Sequence, residues 1–477
     1  MAGSGRRRQT RATTPVRRPA PPDPARLAAY DVLRAVDTRD AYANLVLPGL
    51  LRQRRLNARD AALATELAYG TLRATGTLDA VLARCASRPV AEIDPPVRDL
   101  LRLGAYQLLR TRVPAHAAVS TTVALTRAVA SGGAAGFTNA VLRRVSERSL
   151  AEWVAEIAPP FDEDAAGHLA LVEDHPRWVV GAFRDALGGD LAETAAALAA
   201  DNVAPAVHLV ARPGSVSRAE LLDVTGGLGS PGPWSPYAVR LAGGDPGALA
   251  AVRAGRAGVQ DEGSQLAALV LARAPLGVGL DRVWLDACAG PGGKAALLAG
   301  LAAERGAALL AADRAPHRAR LLAGALAVAA SGQPATRALA VVADATVPAW
   351  AAGSLDRVLV DAPCTGLGAL RRRPEARWRR RPADVPGLSA LQRELLRGAV
   401  TAVRPGGVVG YVVCSPHLAE TRAVVADIRR ERPDVEQLDV RPLLAGVPDL
   451  GDGPAVQLWP HRHGTDAMFL ALLRRRS

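Results

Sequence analysis

The stretch "RVWLDACAGPGGKAALLAG" (residues 282–300) decides the fold. A strand-like run ending in Asp286 meets a loop carrying Gly290, Gly292 and Gly293, and an apolar helical stretch begins near Lys294. Glycines at such a turn let the backbone approach a ligand closely. The loop is not a phosphate-gripping one, which would read Gly-x-x-x-x-Gly-Lys-Ser/Thr. Cys288 and Ala295 break its register and remove its magnesium ligand. The dinucleotide pattern Gly-x-Gly-x-x-Gly is absent too.

Further strand-like runs follow: "AALLAAD" (307–313), "ALAVVAD" (338–344), "RVLVD" (357–361) and "GVVGYVVC" (407–414). Helical stretches separate them, so the spacing predicts a doubly wound, mostly parallel, Rossmann-like sheet. Four runs end in aspartate, at Asp286, Asp313, Asp344 and Asp361, where ligands bind in such folds. Asp313, twenty residues past Gly293, suits a carboxylate accepting both ribose hydroxyls. Asp344 is placed to meet an adenine edge. A strand-end aspartate can also merely cap the next helix, but the ordered set favours a nucleoside ligand without pyrophosphate. S-adenosyl-L-methionine fits better than NAD or ATP.

The rest of the 477 residues has room for further domains. Residues 1–24 are basic and Pro-rich and read as a disordered tail with no apolar signal-peptide core. From 25 to 150 apolar residues recur at three- and four-residue intervals, with Pro95, Pro96 and Pro114 at helix starts, which predicts an all-α domain. Residues 151–256 read as connecting helices followed by a small α/β insert, and 257–477 as the Rossmann-like domain. No apolar run is long enough to span a membrane. Four scattered cysteines, Cys85, Cys288, Cys364 and Cys414, show neither disulfide nor zinc spacing and suit a reducing, cytoplasmic compartment; a monomer is expected. The net charge of +13 suggests a polyanionic partner. Among 59 basic residues Lys294 is the only lysine, which points to a need for a compact ammonium rather than a planar fork.

"DACAGPGGK", "DAPCTG", "RRRPEARW" and "YVVCSPH", in this order and preceded by "VQDEGSQ" (259–265), resemble the RNA cytosine-C5 methyltransferases of the Nol/Nop/Sun group. "YGTLR", "RLGAYQLL", "VPAHAAV" and "FTNAVLRRV" look like a NusB-type RNA-binding domain, a pairing similar to the RsmB/Sun/Fmu type of 16S rRNA methyltransferase. The resemblance covers roughly residues 25–475. It implies a class I methyltransferase domain that takes S-adenosyl-L-methionine on Cys288, Ala289, Gly290, Pro291, Gly292, Gly293, Lys294, Asp313, Arg318, Asp344 and Asp361. The implied partner is small-subunit rRNA, naked or in a 30S assembly intermediate.

Cytosine C5 is a poor nucleophile. A thiolate must first add to C6 before C5 can take a methyl group, and a second group must help the adduct collapse. The resemblance assigns attack to Cys414, release to Cys364, and the cytosine N3/N4 edge to Asp361. The DNA cytosine-C5 methyltransferases suggest the reverse, with Cys364 as nucleophile and Cys414 structural. Either cysteine alone would read as a buried small hydrophobe. The chain departs from the family in Val413, where threonine is usual, and in Pro416 and His417, where leucine or isoleucine is usual. The arginines of "RRRPEARWRRRP" (371–382) are expected to rim the site and bind phosphates, with Trp378 stacking on a base or packing beneath them. A noncatalytic RNA-binding assembly factor on a relic fold is the rival reading.

Overall fold

Helices alone build residues 24–157 of the computed structural model, which describes residues 22–331, 337–347 and 349–476. The tail read from the sequence lies, over residues 1–21, outside the described residues. The starts of these helices follow from local chemistry. Asp23 Oδ1 accepts from Arg26 N–H at 2.9 Å ahead of Pro24, and Asn57 Oδ1 accepts from Asp60 N–H at 2.9 Å. Pro95 and Pro96 open the helix Pro95–Arg110, where a missing N–H costs no intrahelical bond. Leu67, Leu78, Leu82, Leu100, Leu101 and Leu103 meet in one wholly buried core. Each contributes roughly 1.5–3 kcal/mol by leaving water. The all-α expectation is met.

The chain divides into two compact units after Ile157. The second opens with three helices, Ala165–Val172, Arg177–Ala186 and Leu191–Asp201. A small antiparallel sheet follows, built from β1 (Val207–Ala211), β2 (Gly229–Pro231), β3 (Ala238–Leu241) and β4 (Ala257–Val259) in the order β2-β3-β1-β4. β2 and β4 are three residues long, too short to show alternation in sequence.

The large sheet contains β5 (Val283–Asp286), β6 (Ala308–Asp313), β7 (Arg337–Val342), β8 (Leu355–Asp361), β9 (Val403–Val413), β10 (Val435–Leu438), β11 (Val456–Gln457) and β12 (Phe469–Arg475). Its order is β10-β12-β9-β8-β5-β6-β7, with β11 paired to β12. The strands β7, β6, β5, β8 and β9 run parallel, while β12 is antiparallel to both β9 and β10. The Rossmann-like expectation is met. β8 and β9 are apolar nearly throughout because both faces are covered. Leu359, Val408 and Val412 pack into the core that holds the helices Glu262–Arg273 and Gly293–Ala303. Val358, Val360, Val409, Tyr411 and Val413 pack on the other face, with Leu395 and Leu396 of the helix Asp384–Ala402.

From β5 the chain winds outward to β6 and β7, then returns to β8 and β9 on the opposite side. The strand order therefore reverses between β5 and β8, a place where the carboxyl ends open a crevice. β5, β6 and β8 end on Asp286, Asp313 and Asp361 as expected. β7 stops at Val342, so Asp344 sits in the following loop. Among the described residues no helix is long and apolar enough to cross a membrane.

Candidate active site

The loop after β5 is folded around Gly290. Its N–H donates to Asp313 Oδ2 at 3.1 Å, and its carbonyl accepts from Arg318. A Cβ on Gly290 would lie 2.3 Å from Asp313 Oδ2, so only glycine fits this approach. Ala289 N–H reaches Ala312 O at 2.8 Å, and Gly292 N–H returns to Ala289 O at 2.8 Å. Pro291 is exposed at the turn, and Gly293 begins the helix that carries Lys294. Asp313 is almost fully buried, and its Oδ1 accepts from Ala315 N–H at 2.8 Å. Arg318 lies 3.4 Å from its Oδ2. A cleft beside this loop is lined by Cys288, Asp313, Arg318, Asp344 and Pro363. Asp344 is exposed there and accepts from Thr346 N–H at 2.9 Å and Oγ1 at 2.7 Å, bonds that hold its carboxyl below the usual range. It makes the self-capping loop that an isolated aspartate would make, and it still faces the cleft. Burial pushes the Cys288 thiol up, and Asp286, Asp361 and Asp313 push it further. Such a thiol stays protonated and is no nucleophile.

A second group of residues gathers at the β5/β8 reversal. Lys294 Nζ lies 2.8 Å from Asp361 Oδ2. Burial alone would lower the Lys294 ammonium, but Asp361, Cys414 and Asp286 more than offset this and raise it. Asp286 is wholly buried, and no side chain donates a hydrogen bond to it among the described residues. Burial, then repulsion from Asp361, pushes its carboxyl up to about 7.

Cys364 and Cys414 come from different strand ends, three residues past β8 and directly after β9. Their sulfurs lie 3.4 Å apart, and neither is in a disulfide. The pair is not symmetric. A hydrogen bond from Cys364 lowers the Cys414 thiol, helped by Lys294 and opposed by burial, Asp361 and Asp466. The same hydrogen bond pushes Cys364 well up, with burial, Cys414 and Glu420 adding to it. The two shifts make Cys414 the sulfur that gives up its proton more readily and Cys364 the one that keeps it. No group of three or more potential metal ligands occurs among the described residues.

The departures have local explanations. Val413 is wholly buried in the apolar cluster with Val360, Tyr411 and Phe469. Pro416 is buried, and His417 Nδ1 accepts from Ala419 N–H at 3.2 Å, capping a short turn over Leu418–Glu420. The arginine run 371–382 departs more from expectation. Arg377 is wholly buried and donates to Asp174 O (3.1 Å), Asn202 Oδ1 (2.7 Å) and Asp201 O (2.7 Å). Arg371 and Arg372 pair with Asp466, Arg372 also with Asp261 at 2.6 Å, and Arg380 donates to Thr365 O at 3.2 Å. These guanidiniums fasten the segment to the protein rather than offering themselves to phosphates. Arg381 is exposed and Trp378 half-buried.

Sequence reading missed Glu420, Thr365, Ser415, Gln392 and Gly368. Glu420 stands two residues ahead of the helix Arg422–Glu431, where an acid reads as an ordinary helix-start residue. Gly368 carries the Cys364 loop against its neighbours: its N–H donates to Cys414 O at 2.9 Å, and its carbonyl accepts from Ala467 N–H at 2.8 Å.

Residues 23–147 match the NusB family, and residues 276–474 match a family described as 16S rRNA methyltransferase RsmB/F. The chain is similar to a "putative methyltransferase" of Mycobacterium tuberculosis (strain H37Rv), with 56% identity over 98% of this chain and 99% of the relative. It is similar to the ribosomal RNA small subunit methyltransferase B of Pseudomonas putida (strain KT2440), with 33% identity over 94% of this chain and 98% of the relative. The solved structure of a protein designated PH0851 superposes with a TM-score of 0.78 at 21% identity, over 96% of this chain and 99% of that one. The crystal structure of NSun6 from Pyrococcus horikoshii with SFG gives a TM-score of 0.51 at 17% identity, over 63% and 98%. Both structural likenesses speak to the fold.

Proposed function

The chain belongs to the family of 16S rRNA methyltransferases RsmB/F, and from that premise we propose that it methylates C5 of a cytosine in small-subunit rRNA through a covalent Cys414–C6 adduct. The observation that carries this reading is the asymmetric pair of sulfurs 3.4 Å apart beside the Lys294–Asp361 ion pair. Two thiols so placed supply an attacking group and a partner for its release.

Bound S-adenosyl-L-methionine would supply an electrophilic methyl group and, as a sulfonium, a positive charge. The residues present fit it. Asp313 lies at the end of β6 against the Gly290 backbone, where a ribose can be held, and a side chain at Gly290 would fill that space. Arg318 and Asp344 line the same cleft as Cys288 and Pro363, and Ala289, Pro291, Gly292 and Gly293 shape its glycine loop.

The Cys414 thiolate attacks C6, and the C5=C6 pair moves to make C5 nucleophilic. C5 takes the methyl group, and its proton then passes to a water molecule as the C5–H pair re-forms C5=C6 and the C6–S bond breaks, returning its electron pair to Cys414. Cys364 stabilises the departing thiolate by its hydrogen bond. Asp361, its side chain 31% exposed, receives the N3/N4 edge, and Lys294 holds it there. A cytosine must leave its stack to reach these groups, so unpaired or flipped RNA is the substrate form. The helical unit contributes RNA binding.

The test uses wild type, Cys364→Ala and Cys414→Ala with S-adenosyl-L-methionine and unmodified small-subunit rRNA or 30S particles. Mass spectrometry reads 5-methylcytosine, and a denaturing gel reads protein–RNA adduct. Expected are methylation by wild type, a trapped adduct with Cys364→Ala and none with Cys414→Ala. The reverse pattern makes Cys364 the nucleophile. Absence of methylation on both substrates overturns the reading.

A further inference from the structure

Between the two cysteine loops lies a carboxylate for which the reaction above has no use. Glu420 is wholly buried, and among the described residues no lysine, arginine or histidine is paired with it. It accepts instead from four neutral donors. Oε1 takes Thr365 N–H at 2.8 Å and Gln392 Nε2–H at 3.1 Å. Oε2 takes Thr365 Oγ1–H at 2.5 Å and Ser415 Oγ–H at 2.6 Å. Thr365 directly follows Cys364, and Ser415 directly follows Cys414. Gln392 also donates to Pro363 O at 2.9 Å, on the other side of Cys364. Glu420's own backbone is fixed because its carbonyl accepts from the Tyr411 hydroxyl at 2.6 Å within β9.

A carboxylate offers about four acceptor sites and no donor; here three are filled by Thr365 and Ser415 of the two cysteine loops and the fourth by Gln392 of the helix Asp384–Ala402. An uncompensated buried carboxylate is an expensive element to keep for stability alone, because neutral hydrogen bonds repay its desolvation only in part. Its placement also sets a field. Glu420 faces Cys364, whereas Lys294 faces Cys414 together with Asp361 and Asp466. The negative charge of Glu420 favours a proton on Cys364; on the Cys414 side Lys294 is opposed by the two carboxylates, and it is the hydrogen bond from Cys364 that lowers the Cys414 thiol.

We propose that Glu420 is a positioning residue that ties the two cysteine loops together and makes Cys414, rather than Cys364, the attacking sulfur. The inference deepens the cytosine-methylating reading and rests on it for its consequence in catalysis. The arrangement of the sulfurs can be read without RNA. Glu420→Gln keeps the size of the side chain and removes the field on Cys364; its –NH₂ can be met only where the Thr365 and Ser415 hydroxyls turn to accept from it, which loosens the pairing of the two loops.

The experiment measures iodoacetamide alkylation of Cys364 and Cys414 separately, by peptide mapping across pH, in the full chain. Wild type, Glu420→Gln, Glu420→Asp and Ser415→Ala are compared, with S-adenosyl-L-methionine affinity as the check that the fold is intact. In wild type Cys414 reacts at lower pH than Cys364. In Glu420→Gln the Cys364 midpoint is expected to fall by about one pH unit, narrowing the gap to Cys414. Methylation is expected to lose at least about tenfold in kcat with little change in the KM for rRNA. Glu420→Asp, which keeps the charge, should retain the order of the two midpoints. An unchanged pair of midpoints in Glu420→Gln overturns the proposal. If Glu420→Gln fails to bind cofactor, Ser415→Ala, which removes one donor and no charge, carries the test: a reduced kcat supports the tether and an unchanged kcat overturns it. A wild type with ordered midpoints and no methylation refutes the catalytic reading and leaves Glu420's effect on the sulfurs measurable.

Discussion

Lys294 holds a position that arginine, used everywhere else in this chain for a basic residue, would fill badly. Its side chain is 13% exposed and delivers a point charge to Asp361 and toward Cys414, where a planar fork would need more room and more acceptors. Lys294→Met removes a charge that lowers the Cys414 thiol, so less of it is thiolate at neutral pH. Single-turnover methylation should fall about 10²-fold or more, with a pH–rate profile displaced to higher pH. Asp286 gives a prediction about stability. Its folded-state value of about 7 is raised above the ordinary 3.8. The proton therefore binds more tightly in the folded state, and the stability linked to it is present below about pH 4 and lost as pH rises through 7. Asp286→Asn should raise the Tm at pH 8 by an amount on the order of a few kcal/mol in stability and change it little at pH 4. Thermal unfolding at the two pH values decides this.

At the scale of elements, the loop 364–370 and the segment 371–382 show how a reactive pair is held. Gly368 lets the first loop pass close to the segment ahead of β12: a Cβ there would stand 2.0 Å from Ala467 O and 3.0 Å from the Cys414 carbonyl carbon. Both are backbone atoms and cannot give way cheaply. Gly368→Ala should destabilise by roughly 2–4 kcal/mol and abolish methylation, as denaturant unfolding and rate together will show. In the second segment Arg377 supplies donors to the Asp174 and Asp201 carbonyls and the Asn202 amide oxygen, at helix ends and a turn far back in the chain. Arg377→Ala strands those acceptors and leaves a cavity. A loss of about 3–5 kcal/mol is expected, visible as a lower denaturant midpoint before any change in RNA affinity at low temperature.

The whole molecule carries a net charge of +13, and Arg381, in the segment that follows Cys364, exposes part of it. Arg381→Ala should weaken rRNA binding and reduce the slope of log K against log salt by about one, whereas Arg377→Lys, buried, should leave the slope unchanged. Much of this architecture was legible in the chain itself. Periodicity showed the helical unit, and the alternation of strand runs with helices showed the parallel sheet, because helix and strand repeats are local and each run carries its own apolar pattern. The loop at Gly290, the aspartates ending β5, β6 and β8, the lone lysine and the two cysteines could all be marked for the same reason: each is an unusual residue at the end of a recognisable run. What only the tertiary structure decided is how residues from separate runs meet. It put Cys364 and Cys414 within 3.4 Å and joined Lys294 to Asp361. It turned the arginines at 371, 372 and 377 inward and made Glu420, locally an ordinary acid at a helix start, the acceptor shared by both cysteine loops. Hydrogen bonds and desolvation depend on what lies within a few ångströms in space, and linear spacing carries no record of that across 50 residues of chain.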